Sequence, residues 1–351
     1  MSVSSHSAYL PGLSIIRTLA AISVLFGHMW QFGEWGVDIK VHLPEIYLPV
    51  TTFFVISGFL ITWHLLREQD TAGDINILNA YKRRALRILP QYYLGIIVGV
   101  IALWMLRGSF SGKWSLLLLL APNISHVMGG TPFPFYHYWT IGVEVVFYLF
   151  FPWIIKYGRK YLLQIVTSII LVWMCLRVTT YIFDRDMLYR FVGTLQFDTI
   201  LLGAMGAILF YEGREWLQYL CESKWFVLIS WLLFLTSNLW AVLLPAIIRA
   251  DMIALVSLSV ILSGFYGHPI LENKFTQYIG KISYGIYIFH PIVIYVCSTL
   301  WGQCRILVTP THYTGYLVSA IVLVLSIAVA ALSPIILRRP LRRGSPQNIV
   351  L

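Results

Sequence analysis

Residues 315–337 read GYLVSAIVLVLSIAVAALSPIIL and contain no charged side chain. A helix of about 20 apolar residues is long enough to cross the hydrocarbon core of a bilayer. Such a segment must be helical, because an unpaired amide in hydrocarbon costs several kcal/mol and the continuous Leu, Ile and Val runs lack the alternation of a barrel strand. The chain contains about ten segments of this kind. We therefore predict an all-α, polytopic transmembrane helical bundle.

The predicted spans follow one another along the whole chain, so we expect residues 1–351 to form a single integral membrane domain. The spans lie near 13–32, 47–66, 88–107, 137–156, 161–182, 193–211, 225–245, 249–267, 281–301 and 315–337. A shorter apolar run, 114–122, is too brief to cross the bilayer. It is predicted to lie at the membrane interface or to re-enter the membrane.

The composition excludes a soluble protein. Of the 351 residues, 58% are hydrophobic and 11% are charged, whereas an ordinary soluble domain is about half apolar and about a quarter charged. A soluble helical protein this apolar could not cover its surface with polar groups. The lipid bilayer is therefore the expected solvent, and we predict a multi-pass protein of a plasma membrane or a bacterial inner membrane.

The net charge of +10 comes from basic residues in short loops between the apolar runs, which is the usual topology signal of membrane proteins. This distribution argues against nucleic acid as a partner. If the N-terminus is cytosolic, the inner loops hold about twice as many Lys and Arg residues as the outer loops. We therefore expect both termini in the cytosol. The first run begins near Leu13, lacks a basic leader and contains Arg17, which predicts a retained helix rather than a cleaved signal.

The cysteines show no spacing typical of a metal site, and most of them lie in or beside apolar runs. We predict that they are inert packing residues and that the chain holds no metal ion. The four cysteines are Cys175, Cys221, Cys297 and Cys304.

Arg17 and His28 lie in the first span. Eleven residues at about 100° each make just over three helical turns, so the two side chains share one helix face about 16 Å apart. An arginine inside a membrane is costly unless it faces a polar cavity or a partner. The alternative is a structural role, in which Arg17 extends to the membrane–water interface and His28 packs against other helices. The shared face favours the functional interpretation.

The third span is preceded by a basic cluster, Lys82-Arg83-Arg84-Ala85-Leu86-Arg87. Arg84 and Arg87 are three residues apart and lie on the same side of a helix. Guanidinium groups bind phosphates through paired hydrogen bonds, so the cluster suits a phosphorylated cofactor. Topology alone also accounts for basic residues at a cytosolic helix end.

Two carboxylates, Glu144 and Asp198, lie within apolar spans at a depth similar to that of His28 in the predicted topology. Each needs a partner or a polar cavity. We predict that the three residues converge on one cavity, where a carboxylate beside His28 fixes its tautomer and raises its basicity. The alternative is a buried charge pair that holds helices together.

Two further motifs are weaker on physical grounds. Ser57-Gly58 in the second span allows close approach of another helix or of a ligand. The segment 279–291 reads IGKISYGIYIFHP, in which small residues favour helix packing. His290 could line the cavity, but a packing role is the favoured interpretation.

Taken in this order, five segments resemble the motifs of the acyltransferase-3 family of multi-pass membrane acyltransferases. They are Arg17-x10-His28, FFVISGFL at 53–60, RRALRILP at 83–90, WTIGVE at 139–144 and GKISYGIYIFHP at 280–291. The resemblance covers nearly the whole chain. One departure is Thr140-Ile141, where the family usually has Ser-Leu, and this exchange leaves Glu144 in place.

The resemblance implies O-acylation that depends on acyl-CoA, most often acetylation of a sugar in a surface polysaccharide, a glycolipid or a secreted compound. It implies that His28 is catalytic and that Glu144 supports the reaction. The acyl donor site it implies consists of Arg17, Arg83, Arg84 and Arg87, and we add Ser57 and Gly58 to this site. Asp198 joins the catalytic group as a possible partner of His28.

The two lines of evidence agree on location, with the arginines at the cytosolic side and His28 near the outer face. A pantetheine arm is long enough to connect the two. His28 then acts as a general base on an acceptor hydroxyl or forms an acyl-histidine intermediate. A proton-coupled transporter is the main rival, because it too would place His, Glu and Asp residues inside the bundle. A non-catalytic scaffold would leave these residues unexplained.

Overall fold

The computed structural model describes residues 12–32, 47–108, 114–183, 187–266, 272–304 and 312–341. Every regular element within these ranges is helical, which confirms the all-α prediction. The α-helices are α1 Leu13–Phe32, α2 Tyr47–Ala72, α3 Ile77–Arg107, α4 Trp114–Leu118, α5 Pro122–Val127, α6 Trp139–Gly158, α7 Leu162–Phe183, α8 Met187–Leu195, α9 Phe197–Tyr211, α10 Glu215–Glu222, α11 Lys224–Leu235, α12 Ser237–Trp240, α13 Ala246–Tyr266, α14 Lys274–Cys304 and α15 His312–Leu341.

Eight helical stretches of the described residues are long and apolar enough to cross a membrane. A ninth is the pair Lys224–Leu235 and Ser237–Leu243, which is bent by 62°. One of the eight, Tyr136–Phe183, has 48 residues, or about 72 Å of helix, more than twice the thickness of the hydrocarbon core. This stretch contains both α6 and α7, so each of the ten predicted segments coincides with at least one helix of the described residues. The side of the membrane on which each terminus lies stays a prediction.

The helices α6 and α7 form a hairpin. Glu144 contacts Ser57, and Arg159, just after α6, pairs with Asp70 near the end of α2, so α6 runs parallel to α2. The chain then returns in α7 to Arg177, which pairs with a carboxylate at the start of α9. The 3-10 turn Arg159–Tyr161 joins the two helices. The long apolar stretch is therefore two spans.

Glycine brings the backbones of α2 and α9 into direct contact. A Cβ atom on Gly58 would lie 1.9 Å from the carbonyl oxygen of Ile200, and one on Gly203 would lie 2.1 Å from that of Val55. Small residues allow this close packing of membrane helices. Gly58, which was predicted to belong to the acyl donor site, is not among the residues that line the arginine cavity, and its missing side chain makes room for α9.

A second close contact joins α1, α14 and α15. A Cβ atom on Gly280 would lie 2.7 Å from the carbonyl oxygen of Ser14, and one on Gly285 would lie 3.1 Å from Ala330. The side chain of Thr18 reinforces the α1–α14 contact by donating to the carbonyl oxygen of Thr276 (2.9 Å). The small residues of the motif at 280–291 therefore pack helices, as predicted.

We expect Gly58→Ala to lower the stability of the folded protein. The new methyl group would overlap the backbone of α9, and overpacking of this kind costs about 1–3 kcal/mol. Gly193→Ala is the matched control, because no atom beyond the adjoining residues of its own helix lies within 4 Å of the position of its Cβ. Thermal unfolding in detergent compares the two variants. Equal midpoints would contradict the α2–α9 contact.

The short run 114–122 forms α4 and the start of α5, which are 5 and 6 residues long. Tyr92 of α3 donates to the carbonyl oxygen of Leu117 (2.6 Å), and Asn123 packs against Gly142 of α6. These helices are too short to cross a bilayer, and their depth in the membrane stays a prediction.

Three cysteines are free thiols, namely Cys175, Cys221 and Cys297, and the side chain of Cys304 lies outside the described residues. Burial raises the pKa of the Cys221 thiol to about 12. Since the thiolate is the reactive form, Cys221 is inert at neutral pH, as predicted.

Candidate active site

An open cavity lies between α1, α2, α3, α6 and α14, and the empty space in it, with the solvent at its mouth, is about 760 Å³. Its wall contains Arg17, Val50, Phe53, Phe54, Ser57, Leu60, Arg84, Arg87, Ile88, Thr140, Ile141, Glu144, Tyr148, Ser283, Tyr284 and Tyr287. All five sequence motifs contribute residues to this wall. Segments far apart in the chain thus meet around one space.

The cavity wall is strongly basic. Arg17, Arg84 and Arg87 face a single carboxylate, Glu144. Arg87 is exposed and marks the open end of the cavity, whereas Arg84 is half-buried with its guanidinium carbon 5.6 Å from the ring centre of Tyr148. The buried Nε of Arg17 has no hydrogen-bond partner. Three guanidinium groups against one carboxylate leave an excess of positive charge, which suits an anionic ligand.

Glu144 is fixed by two hydroxyl groups. Ser57 Oγ donates to its Oε1 (2.5 Å), and Tyr148 Oη donates to its Oε2 (2.8 Å). Tyr148 is one helical turn after Glu144, a spacing that sequence could have flagged. The prediction that Glu144 orients His28 is therefore wrong in geometry, because both carboxylate oxygens are held at the arginine cavity.

Arg83 lies outside the cavity. Its guanidinium pairs with Glu68, and 53% of its side chain is exposed. Successive residues of a helix point about 100° apart, so Arg83 faces away when Arg84 faces the cavity. The prediction that Arg83 binds the acyl donor is not supported by this geometry, whereas Arg84 and Arg87 share the predicted face.

Asp198 belongs to a separate buried cluster. Its Oδ2 lies 2.6 Å from Nη2 of Arg177, and the same guanidinium also pairs with Asp251. The three side chains come from α7, α9 and α13 and are nearly inaccessible to solvent. The convergence of Asp198 with His28 and Glu144 is therefore wrong, and the alternative of a charge cluster that holds helices together is correct. The sequence predicts how deep Asp198 lies in the membrane but not which helices are next to it. Its partners, Arg177 and Asp251, were therefore not predicted.

His28 lies in a group of three buried histidines. Its Nδ1 is 2.7 Å from Nε2 of His290, and the two rings are stacked with centres 4.9 Å apart. The ring centre of His137 lies 6.1 Å from that of His28 and 5.3 Å from that of His290. His290 is fully buried and does not line the arginine cavity, and its ring packs against that of His28. His137 was not singled out from the sequence.

Tyr287 separates the cavity from the histidines. Its hydroxyl donates to the carbonyl oxygen of His137 (2.7 Å) and lies 2.7 Å from Oγ1 of Thr140. The tyrosine ring centre is 5.1 Å from that of His137 and 6.0 Å from that of His290. The inner end of the basic cavity and the histidine group are therefore adjacent.

A family model described as an acyltransferase domain matches residues 10–331. The chain belongs to the acyltransferase-3 family. This membership confirms the resemblance of the five motifs, and it makes the chain a member of a family of acyl-transferring enzymes. Those motifs supply most of the cavity wall and two of the three histidines, His28 and His290.

Several curated relatives of this acyltransferase-3 protein come from Staphylococcus aureus. A Staphylococcus aureus (strain COL) protein provisionally named as an O-acetyltransferase is 26% identical over 322 residues, covering 82% of this chain and 51% of the relative. The O-acetyltransferase OatA of Staphylococcus aureus (strain NCTC 8325 / PS 47) is 25% identical over 320 residues, covering 83% of this chain and 51% of the relative. The chain spans about half the length of these relatives. No solved structure matches it significantly.

The histidine group does not form a recognisable metal site. Within the described ranges, no three His, Cys, Asp or Glu side chains are arranged as ligands of a metal ion. The expectation of a metal-free protein stays a prediction.

Proposed function

We propose that this chain is a membrane O-acyltransferase that moves an acetyl group from cytosolic acetyl-CoA to a hydroxyl of an acceptor at the outer face. The acceptor we propose is a sugar of a surface polysaccharide or glycolipid. The observation that carries the proposal is the cavity in which Arg17, Arg84 and Arg87 face only one carboxylate. The names of the staphylococcal relatives, which are O-acetyltransferases, favour an acetyl group and an oxygen acceptor.

The basic and aromatic lining of the cavity suits coenzyme A. The exposed Arg87 and the half-buried Arg84 at the open end would bind the phosphates through paired hydrogen bonds. Beyond them the wall becomes apolar and aromatic, with Phe53 and Tyr287 at the inner end, and this part would accept the pantetheine arm. Arg17 and His28 are eleven residues apart on α1, about 16 Å along its axis, so an extended arm spans the distance.

His28 would be the catalytic residue, next to the end of the cavity that borders the histidine group. As a general base, its ring nitrogen takes the proton of the acceptor hydroxyl while the oxygen attacks the thioester carbonyl. The carbon–sulfur bond then breaks, and the coenzyme A thiolate leaves and receives a proton. In the alternative, the ring nitrogen attacks first and passes the acetyl group on from an acyl-histidine. Glu144 balances one of the three guanidinium charges in either version.

The geometry gives no support to a proton relay through the predicted carboxylates. Glu144 is held by Ser57 and Tyr148, Asp198 is held by Arg177, and His28 contacts His290. The three residues of the supposed relay thus lie in three separate groups. The transporter remains the alternative that the following experiment tests.

We expect acetyl-CoA to raise the unfolding temperature of the purified protein. A ligand at a hundred times its Kd stabilises the folded state by about 2.7 kcal/mol. Arg84→Gln combined with Arg87→Gln should remove most of this gain, because both guanidinium groups line the cavity. Arg83→Gln, a control that removes one positive charge from the same helix outside the cavity, should keep it. A control that loses as much would contradict the assignment of the cavity, and no shift with any acyl-CoA would favour the transporter.

A further inference from the structure

The contact between His28 and His290 fixes the protonation pattern of both rings. His290 Nδ1 lies 2.9 Å from the carbonyl oxygen of Ile286, which can only accept a hydrogen bond. Nδ1 of His290 therefore carries the proton, and in the neutral ring Nε2 carries the lone pair. That lone pair faces His28 Nδ1 at 2.7 Å, so His28 donates from Nδ1.

We propose that His290 is a positioning residue that holds neutral His28 in its Nδ1–H tautomer. In this tautomer, Nε2 of His28 is the basic nitrogen, and it is the atom that takes the proton of the acceptor hydroxyl. This inference deepens the proposed function and rests on it for its catalytic consequence. The tautomer itself follows from the two hydrogen bonds and holds whatever the substrate is.

The opposite arrangement is disfavoured by the same distances. If His290 carried its proton on Nε2, its Nδ1 lone pair would face the lone pairs of the Ile286 carbonyl at 2.9 Å. His290 is fully buried, so solvent does not compensate for such a contact. The helix that carries His290 is also fixed against α1 by the close contact at Gly280. The chain thus supplies a rigid acceptor for one ring nitrogen of His28.

A second consequence concerns the charge that develops during transfer. When His28 takes a proton, the positive ring lies 2.7 Å from the lone pair of His290 Nε2, and the Nδ1–H bond becomes a charge-assisted hydrogen bond. A histidine here plays the orienting part that a carboxylate plays in the Ser-His-Asp arrangement. It stabilises the protonated state without bringing a full negative charge into the membrane.

Two substitutions of His290 separate this role from packing. Glutamine places an oxygen near the position of Nε2 and can accept from His28 Nδ1, whereas leucine fills similar space without an acceptor. We expect His290→Leu to lower kcat for acetyl transfer by about a hundredfold. The KM for acetyl-CoA and the thermal shift by acetyl-CoA should stay unchanged, because His290 does not line the cavity. His290→Gln should recover activity to within about tenfold of the wild type.

Nitrogen-15 NMR of histidine-labelled protein in bilayers reads the tautomer directly and needs no activity. We expect His28 to be protonated on Nδ1 in the wild type and in His290→Gln, and on Nε2, the form favoured in water, in His290→Leu. An Nε2–H signal for His28 in the wild type would overturn the proposal, as would equal kcat values for the leucine and glutamine variants. If the wild type neither binds acetyl-CoA nor transfers acetyl groups, the proposed function fails while the tautomer assignment is still tested by the spectra.

Discussion

Replacement of His28 by glutamine should abolish acyl transfer and leave donor binding intact. The loss follows because no other ring nitrogen occupies its position, and removal of a general base costs about 10²- to 10⁴-fold in rate. Donor binding should persist because the arginine cavity is lined by other residues. Mass analysis of acetylated acceptor measures transfer, and the thermal shift by acetyl-CoA measures binding in the same preparation.

The matched control for His28 is His126→Gln. His126 is also a histidine within the helical bundle, but it stacks on Trp139 and does not belong to the histidine group. It should keep transfer within a few-fold of the wild type. Transfer by the His28 variant at the wild-type rate would rule out both the general base and the acyl-histidine. Incubation of the wild type with labelled acetyl-CoA and no acceptor distinguishes these two, because only the second leaves label on the chain.

The largest effect on stability is expected at Arg177. Arg177→Met leaves Asp198 and Asp251 buried together without their shared guanidinium partner. Removal of one partner of a buried ion pair costs about 3–5 kcal/mol, because an uncompensated charge stays in the interior. The side chain of Arg177 is 7% exposed, so solvent screens little of this cost. Thermal unfolding in detergent should show a large drop in the midpoint.

Asp251→Asn is the informative comparison for Arg177. It converts a cluster of two carboxylates and one guanidinium into one carboxylate and one guanidinium, so the remaining charges balance. We expect a much smaller loss of stability than for Arg177→Met. A loss as large as that of Arg177→Met would show that Asp251 contributes an essential hydrogen bond rather than surplus charge. Neither variant should alter the rate of acetyl transfer by the folded protein, since the cluster lies apart from the histidine group.

The helical spans could be predicted from sequence because a membrane segment must be long, apolar and internally hydrogen-bonded. The division of the long apolar run into two spans, α6 and α7, could be predicted on the same ground, since the run is longer than one bilayer thickness. The bend between α11 and α12 was not, because apolar composition is equally compatible with a straight helix.

The donor cavity was partly predictable. Helical spacing placed Arg84 and Arg87 on one face, and the same geometry could have excluded Arg83. Glu144 was expected in the site, but its partners depend on where α2 packs against α6. Asp198 and Glu144 have similar predicted depths, and only the arrangement of helices around the bundle sends one to Arg177 and the other to Ser57. A sequence gives the position of a charge along the membrane normal far better than its lateral neighbours.

The glycine contacts have a consequence for motion. Gly58 and Gly203 lock α2 to α9, and Gly280 locks α14 to α1. We expect helices packed backbone to backbone to move together, each pair as one rigid body. Arg17 belongs to one body and Ser57 to the other, and the cavity lies at the seam between them. Any widening that admits a bulky donor therefore separates these two walls and leaves the His28–His290 contact, which lies within one body, undisturbed.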